Sequence, residues 1–217
     1  MPRHIARGWP IPAGLLLLGL IPVGAGILRM TELAGNPAVS PDNARFLAAP
    51  LVFWAHAVGG CLLLVLGALQ FAAPLRARYP RWHRWAGRVA VAAGLTAALS
   101  GLWMTQTFPA EPRNPDIFYG FRMMFGLGWI LCLILGLRAA LLRDIAGHRA
   151  WMMRGYAIAL GAGTTVLTFG FWLLIGGSDT PLESTWTQTS AWLINLAVAE
   201  AFIRRQVTRP TPQGATA

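Results

Sequence analysis

Six long runs without a charged residue alternate along the chain with short charged segments, most of which contain arginine. The runs cover residues 8–28, 46–75, 89–110, 123–137, 155–178 and 184–199. A membrane-spanning helix needs about 20 apolar residues. Four of the runs reach that length, and the two shorter ones reach it by taking in a flanking charge. The pattern predicts an all-α polytopic membrane protein, a bundle of about six transmembrane helices over 10–28, 50–73, 88–108, 119–141, 153–176 and 185–204.

The composition supports this class. Of the 217 residues, 55% are hydrophobic and 12% are charged, about half the charged share of a soluble domain. A soluble globular domain and a disordered chain are therefore excluded. The two cysteines, Cys61 and Cys132, lie inside apolar runs, which excludes a disulfide scaffold. We expect one domain over 1–209, followed by a polar, proline-containing tail over 210–217 that is disordered.

The arginines predict the orientation. All eighteen basic residues are arginine, and the net charge is +10. With the N-terminus inside, fourteen arginines lie on the cytoplasmic side and four lie outside, namely Arg29, Arg45, Arg113 and Arg122. The positive-inside rule then predicts a multi-pass protein of the bacterial inner membrane with both termini cytoplasmic. The cytoplasmic arginines are placed to contact anionic lipids. Because they lie between apolar runs, they do not indicate a nucleic-acid partner. Protein partners are not predicted.

Small residues indicate how the helices pack. The third helix has the stripe Ala90, Gly94, Ala97 and Gly101, which allows another helix to approach closely. The second helix has a face that is polar at both ends and small between them. We expect that face to point into the bundle. Its members are His56, Gly60, Leu63, Gly67 and Gln70.

A short pattern occurs twice. A His-Arg pair, a tryptophan and a further arginine open the third helix at His83 and the fifth helix at His148. The repeat predicts that the second and third helices, and the fourth and fifth, are two copies of one hairpin. Such copies bring His83 and His148 face to face. The alternative is a chance similarity between two short basic loops.

Two facing histidines are the minimum for a six-coordinate haem b, and imidazoles also bind quinone oxygens. The candidate haem-iron ligands are His83 and His148, with His56 as a further cofactor-binding residue. Arginines are suited to hold anionic groups of such a cofactor, and the candidates are Arg84, Arg88, Arg149 and Arg154. Two alternatives are a metal held together with Asp144 and interfacial loops that contact lipid headgroups.

Polar residues inside a membrane are costly and indicate function. The intramembrane polar candidates are His56, Gln70, Arg122, Asn195 and Glu200. His56 and His83 are roughly 20 Å apart along the second helix, so they do not ligate one iron. Arg122 is expected to pair with Asp116, and Glu200 with Arg204 at a helical spacing of four.

These residues lead to three hypotheses for the function. The leading hypothesis is a redox protein that binds haem b or a quinone. The alternatives are a small-molecule or lipid transporter, in which His56, Gln70 and Arg122 line a polar path, and a cofactor-free structural subunit of a membrane complex. The sequence has no P-loop, GxSxG, HExxH or CxxC motif, so nothing supports an ATPase, a hydrolase or a thiol redox enzyme.

Four segments resemble a known family. They are HAVG at 56–59, GALQF at 67–71, PRWHRWAGR at 80–88 and HRAWMMRGYA at 148–157. Together they are similar to domain-of-unknown-function family 2306, over roughly residues 45–205. The resemblance implies a multi-pass membrane protein and carries no activity. The His-Arg segments also look like the helix entries of ferric-reductase-type and b561-type haem proteins, whose additional intramembrane histidines this chain lacks.

Overall fold

The computed structural model describes residues 8–108 and 116–207, and every regular element in those two ranges is an α-helix. Five helices exceed 20 residues: α1 (Pro10–Ala34), α3 (Pro50–Gln70), α5 (Pro80–Thr107), α6 (Asp116–Leu141) and α9 (Pro181–Val207). Two of intermediate length are α7 (Ile145–Ala159) and α8 (Gly161–Leu174). Two short helices, α2 (Ala44–Ala48) and α4 (Ala73–Arg78), connect longer ones. Residues 210–217, where a disordered tail is predicted, lie outside the described residues.

Several helices can cross a membrane. In the described ranges, α1, α3, α5 and α6 are long and apolar enough to do so, and α7 and α8 together would form a fifth span. These helices confirm an all-α polytopic membrane protein. Helix α9 has 27 residues, enough to cross a bilayer. It begins with a polar segment of threonine, serine and glutamate, and the sixth span stays a prediction.

The helix ends differ from the sequence prediction because charge-free runs measure the apolar layer, whereas a helix continues beyond it. Helix α5 begins at Pro80 rather than at 88, since proline fits the first position of a helix and the charged turn that follows stays helical. Helix α1 continues to Ala34 instead of ending at 28. Within this extension Arg29 donates to Glu32 at 2.8 Å. Helix α3 is an exception, because it ends at Gln70, three residues before the predicted end and inside its charge-free run.

The structure divides the predicted helix over 153–176 into two helices. Helix α7 begins at Ile145, capped by the Asp144 carboxylate, which accepts from the Gly147 amide at 2.9 Å. It ends at Ala159, and α8 begins at Gly161 with a bend of 48°. The glycine lacks a side chain where the indole of Trp192 packs against the backbone. The bend therefore forms where a neighbouring aromatic ring from α9 needs space.

The most extensive helix contact in the bundle joins α3 and α5, whose backbones approach closely. A Cβ atom on Gly59 would lie 2.6 Å from the carbonyl oxygen of Ala93 and 3.1 Å from the amide nitrogen of Ala97. Ala90 and Ala97 are buried, as the small-residue stripe predicts. On the same stripe, a Cβ on Gly94 would meet Leu133 of α6 at 3.0 Å. Backbone contact of this kind replaces the hydrophobic effect between helices in lipid.

The bundle has two ends. The end where α3 ends, α5 begins, α6 ends and α7 begins is called the His83 end. The opposite end, where α1 ends, α3 begins, α5 ends and α6 begins, is called the Arg122 end. The two predicted hairpins, α3 with α5 and α6 with α7, are the most extensively packed helix pairs. Their origin by duplication stays a prediction.

Candidate functional site

His83 and His148 lie at the same end of the bundle. His83 is in the first turn of α5, and His148 is in the first turn of α7. Both helices pack against α6. The two imidazoles are close enough for their charges to interact. The fold thus brings together the first turns of two helices that are 65 residues apart in sequence.

The hydrogen bond of His148 sets its tautomer. Its Nδ1 lies 2.8 Å from the carbonyl oxygen of Gly136 on α6. A carbonyl only accepts, so Nδ1 donates, and in a neutral imidazole Nε2 then carries the lone pair. Histidines that ligate metals commonly have this second bond to a backbone carbonyl. His148 is therefore prepared to act through Nε2 as a ligand or as a hydrogen-bond acceptor.

His83 carries a buried ring nitrogen. Its Nδ1 is shielded from solvent and has no hydrogen-bond partner among the described residues. Buried polar atoms in folded proteins are nearly always bonded. The Nδ1 atom of His83 departs from this rule among the described residues.

Arginines surround the histidine pair. Arg84, Arg88 and Arg149 are all exposed at the His83 end. The sequence analysis missed Arg76, whose charge acts on His83 from α4. Only the short helix α4, which the charge-free runs did not predict, turns Arg76 back toward α5.

Arg154 and Glu200 form an ion pair between α7 and α9. Arg154 Nε donates to Glu200 Oε1 at 2.5 Å, and Nη2 donates to Oε2 at 3.1 Å. The guanidinium also lies 4.8 Å from the ring centroid of Trp151. Glu200 is thus bonded by Arg154, while the predicted partner Arg204 acts on it electrostatically. The pair fixes the first half of the broken span against α9.

His56 lies toward the Arg122 end. Its Nδ1 donates to the carbonyl oxygen of Ala97 on α5 at 2.8 Å. The ring packs on Gly101, where a Cβ would lie 3.1 Å from Cε1. The predicted stripe of small residues on α5 therefore makes room for this imidazole. His56 contacts α5 but not the His83–His148 pair.

Gln70 lies at the other end of α3 from His56. Its amide donates to the carbonyl of Leu66 at 3.3 Å, and its Oε1 lies 3.3 Å from where a Cβ of Gly87 would be. Between His56 and Gln70, the buried side chains of Leu63 and Leu133 pack against α5. In this conformation apolar packing fills the route that a polar path along α3 would take.

Asn195 bridges the bend between α7 and α8. Its Nδ2 donates to the carbonyl of Ala157 at 3.1 Å, and its Oδ1 accepts from Thr164 at 2.9 Å. One side chain on α9 thus bonds both halves of the bent span. The sequence analysis selected Asn195 as an intramembrane polar residue but did not predict the bend that it bridges.

Arg122 lies in a group of cations at the Arg122 end. Its charge acts on His56, and the charge of Arg45 acts on it. Its guanidinium lies 5.5 Å from the ring centroid of Phe118. The predicted pairing with Asp116 is absent from the described contacts, since six residues along a helix place the two side chains about 120° apart around its axis.

Arg45 is the second cation of this group. Its guanidinium lies 4.7 Å from the ring centroid of Phe46, and that of Arg29 lies 5.3 Å from the same ring. Burial, and then the neighbouring Arg29, lower the pKa of Arg45 below its ordinary value. Sequence spacing does not predict this grouping, because Arg29, Arg45 and Arg122 lie on three different helices.

The described histidine, cysteine and carboxylate side chains do not form a metal-binding cluster. Across residues 8–108 and 116–207, no three side chains of histidine, cysteine, aspartate or glutamate are grouped to hold a metal ion. Asp144, the third ligand of the alternative metal site, caps α7 instead. A small apolar cavity of about 40 Å³ lies between α1 and α3, lined by Leu16, Gly19, Leu20, Val23, Leu64 and Val65. It contains none of the predicted site residues.

Comparison with known proteins identifies the family. Among curated proteins and among solved structures, no match to the chain was found. The sequence pattern of DUF2306, described as a predicted membrane protein, matches residues 53–203. That range covers well over half of the chain and includes His56, His83, Arg122 and His148. The chain therefore belongs to the DUF2306 family of predicted membrane proteins.

Proposed function

We propose that this chain is a membrane redox protein that binds haem b or a quinone at His83 and His148. The observation that carries the proposal is the imidazole pair at the His83 end. His148 has an Nδ1–H bonded to Gly136, which leaves a lone pair on Nε2. His83 has a buried ring nitrogen with no partner among the described residues. The two rings lie within range of each other's charge.

The residues of the proposed site would have different roles. The imidazoles of His83 and His148 would hold the iron of haem b, or bond the oxygens of a quinone. Either group supplies one-electron chemistry when bound. The exposed Arg84, Arg88 and Arg149 would hold anionic substituents at the membrane surface. Arg154, bonded to Glu200, positions α7 and with it His148.

The test is an absorption spectrum of the detergent-purified protein, expressed with haem supplementation, before and after dithionite. We expect a Soret band, with α and β bands that sharpen on reduction. H83A and H148A should each abolish these bands, whereas the matched control H56A at the other end should keep them. A wild-type spectrum without a Soret band, together with no quinone in a solvent extract, would overturn the proposal.

A transporter is the second candidate, and the bend between α7 and α8 favours it. Discontinuous membrane helices frequently mark the substrate sites of transporters. Asn195 would hold the break, since it bonds both halves of the span. Reconstituted vesicles containing fluorescent phospholipids would reveal lipid transport as dithionite-accessible label in both leaflets. Labelling limited to the outer leaflet, as in protein-free vesicles, would contradict this candidate.

We further propose a place and orientation in the cell. The excess of arginine at the His83 end supports a bacterial inner-membrane protein with that end and both termini cytoplasmic. Anionic lipids of the cytoplasmic leaflet would contact the same arginines. Fusion of a fluorescent protein and of alkaline phosphatase to the C-terminus tests the orientation. Fluorescence without phosphatase activity is expected, and the reverse result would contradict it.

A further inference from the structure

The apolar cavity between α1 and α3 lies at the depth of the hydrocarbon layer. Gly19 lies nine residues after the start of α1, and Leu64 lies six residues before the end of α3. The cavity is therefore roughly 9–14 Å from the His83 end, in spans that cross a hydrocarbon layer about 30 Å thick. Gly19 and Leu64 are buried, whereas Leu20 and Val65, which also line the cavity, are 60% and 40% exposed. The cavity thus opens sideways, toward lipid chains.

The gap exists because Gly19 has no side chain where α1 faces α3. A Cβ atom added there would have one described neighbour within 4 Å, the Cβ of Leu64 at 3.8 Å. Farther along α1 the helices are in contact, since a Cβ on Gly26 would lie 3.5 Å from the sulfur of Cys61. Few other contacts close the gap, because three of the 25 residues of α1 are buried, namely Pro12, Gly19 and Leu33.

The lining of the cavity is suited to hydrocarbon and unsuited to water. Leucine, valine and glycine residues alone form it. A buried water needs two to four polar partners, so an apolar cavity of this kind stays dry. The volume of about 40 Å³ has room for roughly three groups of the size of a water molecule or a methylene. An empty gap loses the dispersion contacts of its lining atoms, and a chain from the surrounding lipid restores them.

We propose that an acyl chain of a bilayer phospholipid inserts between α1 and α3 and fills this cavity. The site selects its ligand by shape and apolarity, so it binds the chain and not the headgroup. It contains neither histidine of the proposed redox site and none of the exposed arginines. Its occupancy is therefore independent of haem or quinone binding and of lipid contact at the cytoplasmic surface.

The test is photo-crosslinking of the full-length protein in vesicles of phosphatidylglycerol and phosphatidylcholine. A small fraction of the phosphatidylcholine has a diazirine near the methyl end of one acyl chain, and mass spectrometry of peptides locates the adducts. Leu63 is an internal control, because it is 4% exposed and Leu64 is 6% exposed, but Leu63 packs against Gly94 of α5. We expect adducts on Leu64 and none on Leu63. No adduct on Leu64, or equal labelling of both leucines, would mean a cavity that no chain enters and would overturn the proposal.

A matched pair of variants on α1 separates the cavity from the general lipid surface. G19V places the three carbons of a valine side chain in the cavity. G14V adds the same carbons where a Cβ would meet nothing within 4 Å. G19V should lose the adducts on Leu64 and G14V should keep them, and adducts that persist in G19V would contradict the site. If G19V does not fold, G19A replaces it, and labelling of Leu64 equal to that of the wild type then overturns the proposal.

Discussion

Replacement of Gly59 by alanine tests the contact between α3 and α5 that holds His56. The new Cβ atom would lie 2.6 Å from the carbonyl oxygen of Ala93, 3.1 Å from the amide nitrogen of Ala97 and 3.3 Å from its Cβ. These are mostly backbone atoms, so no side-chain rotation relieves the clash. The two helices must separate by roughly 1 Å to restore ordinary contact distances.

The magnitude follows from a comparison with the next residue. Gly60 lies in the same helix turn, and a Cβ added there would meet nothing within 4 Å. Both substitutions gain the same helix propensity, up to about 1 kcal/mol. Only G59A has the overpacking cost of about 1–3 kcal/mol. The difference in the free energy of unfolding between G59A and G60A is therefore expected to be about 1–3 kcal/mol, with G59A the less stable.

The assay is reversible unfolding of the purified protein in detergent, followed by the fluorescence of its ten tryptophans. G60A should unfold at the same denaturant concentration as the wild type or higher, and G59A should unfold at a lower one. Equal midpoints for G59A and G60A would refute the close approach of α3 and α5.

Three further substitutions probe polar contacts between helices by the same assay. Y156F removes the buried hydroxyl that donates to the Leu64 carbonyl at 2.8 Å; a loss of about 1 kcal/mol is expected, and wild-type stability would contradict the bond. E200Q breaks the ion pair with Arg154 and should cost about 1 kcal/mol, because the side chains are 35% and 26% exposed. The double variant with R154Q should cost less than the sum of the single changes, and strict additivity would contradict coupling. N195L removes two hydrogen bonds at the bend and should cost about 1–3 kcal/mol; an unchanged midpoint would show that the bend needs no bridge.

The sequence predicts the apolar core of each span well and its ends poorly. Charge-free runs locate the hydrocarbon layer because burying a charge there is costly. Helices continue beyond that layer, where arginine is a good helix former. This is why α5 begins at Pro80, and why His83 lies in a helix rather than in a loop. The position of His83 within the helix could have been predicted from the proline at its N-terminus.

The contacts at the candidate sites depend on geometry that the sequence does not contain. Glu200 has an arginine four residues away in sequence, yet Arg154 from another helix bonds it with two hydrogen bonds. Sequence spacing favours Arg204 on the same helix, because spacing contains no information on how α7 and α9 cross. The grouping of Arg45 with Arg122 is of the same kind. By contrast, the small-residue stripe on α5 needed no tertiary information, since a close helix contact requires it.

The two histidines that bond a backbone carbonyl share one chemical state at opposite ends of the bundle. His56 and His148 each donate through Nδ1, to the carbonyls of Ala97 and Gly136 on neighbouring helices. Since a helical carbonyl already accepts from its own helix, it uses its second lone pair for this bond. In the neutral ring Nε2 is then an acceptor in both cases. The bond that fixes each helix contact thus leaves the Nε2 atom of that imidazole able to bind a ligand. His83 has no such bond among the described residues, so a ligand would change its hydrogen bonding most.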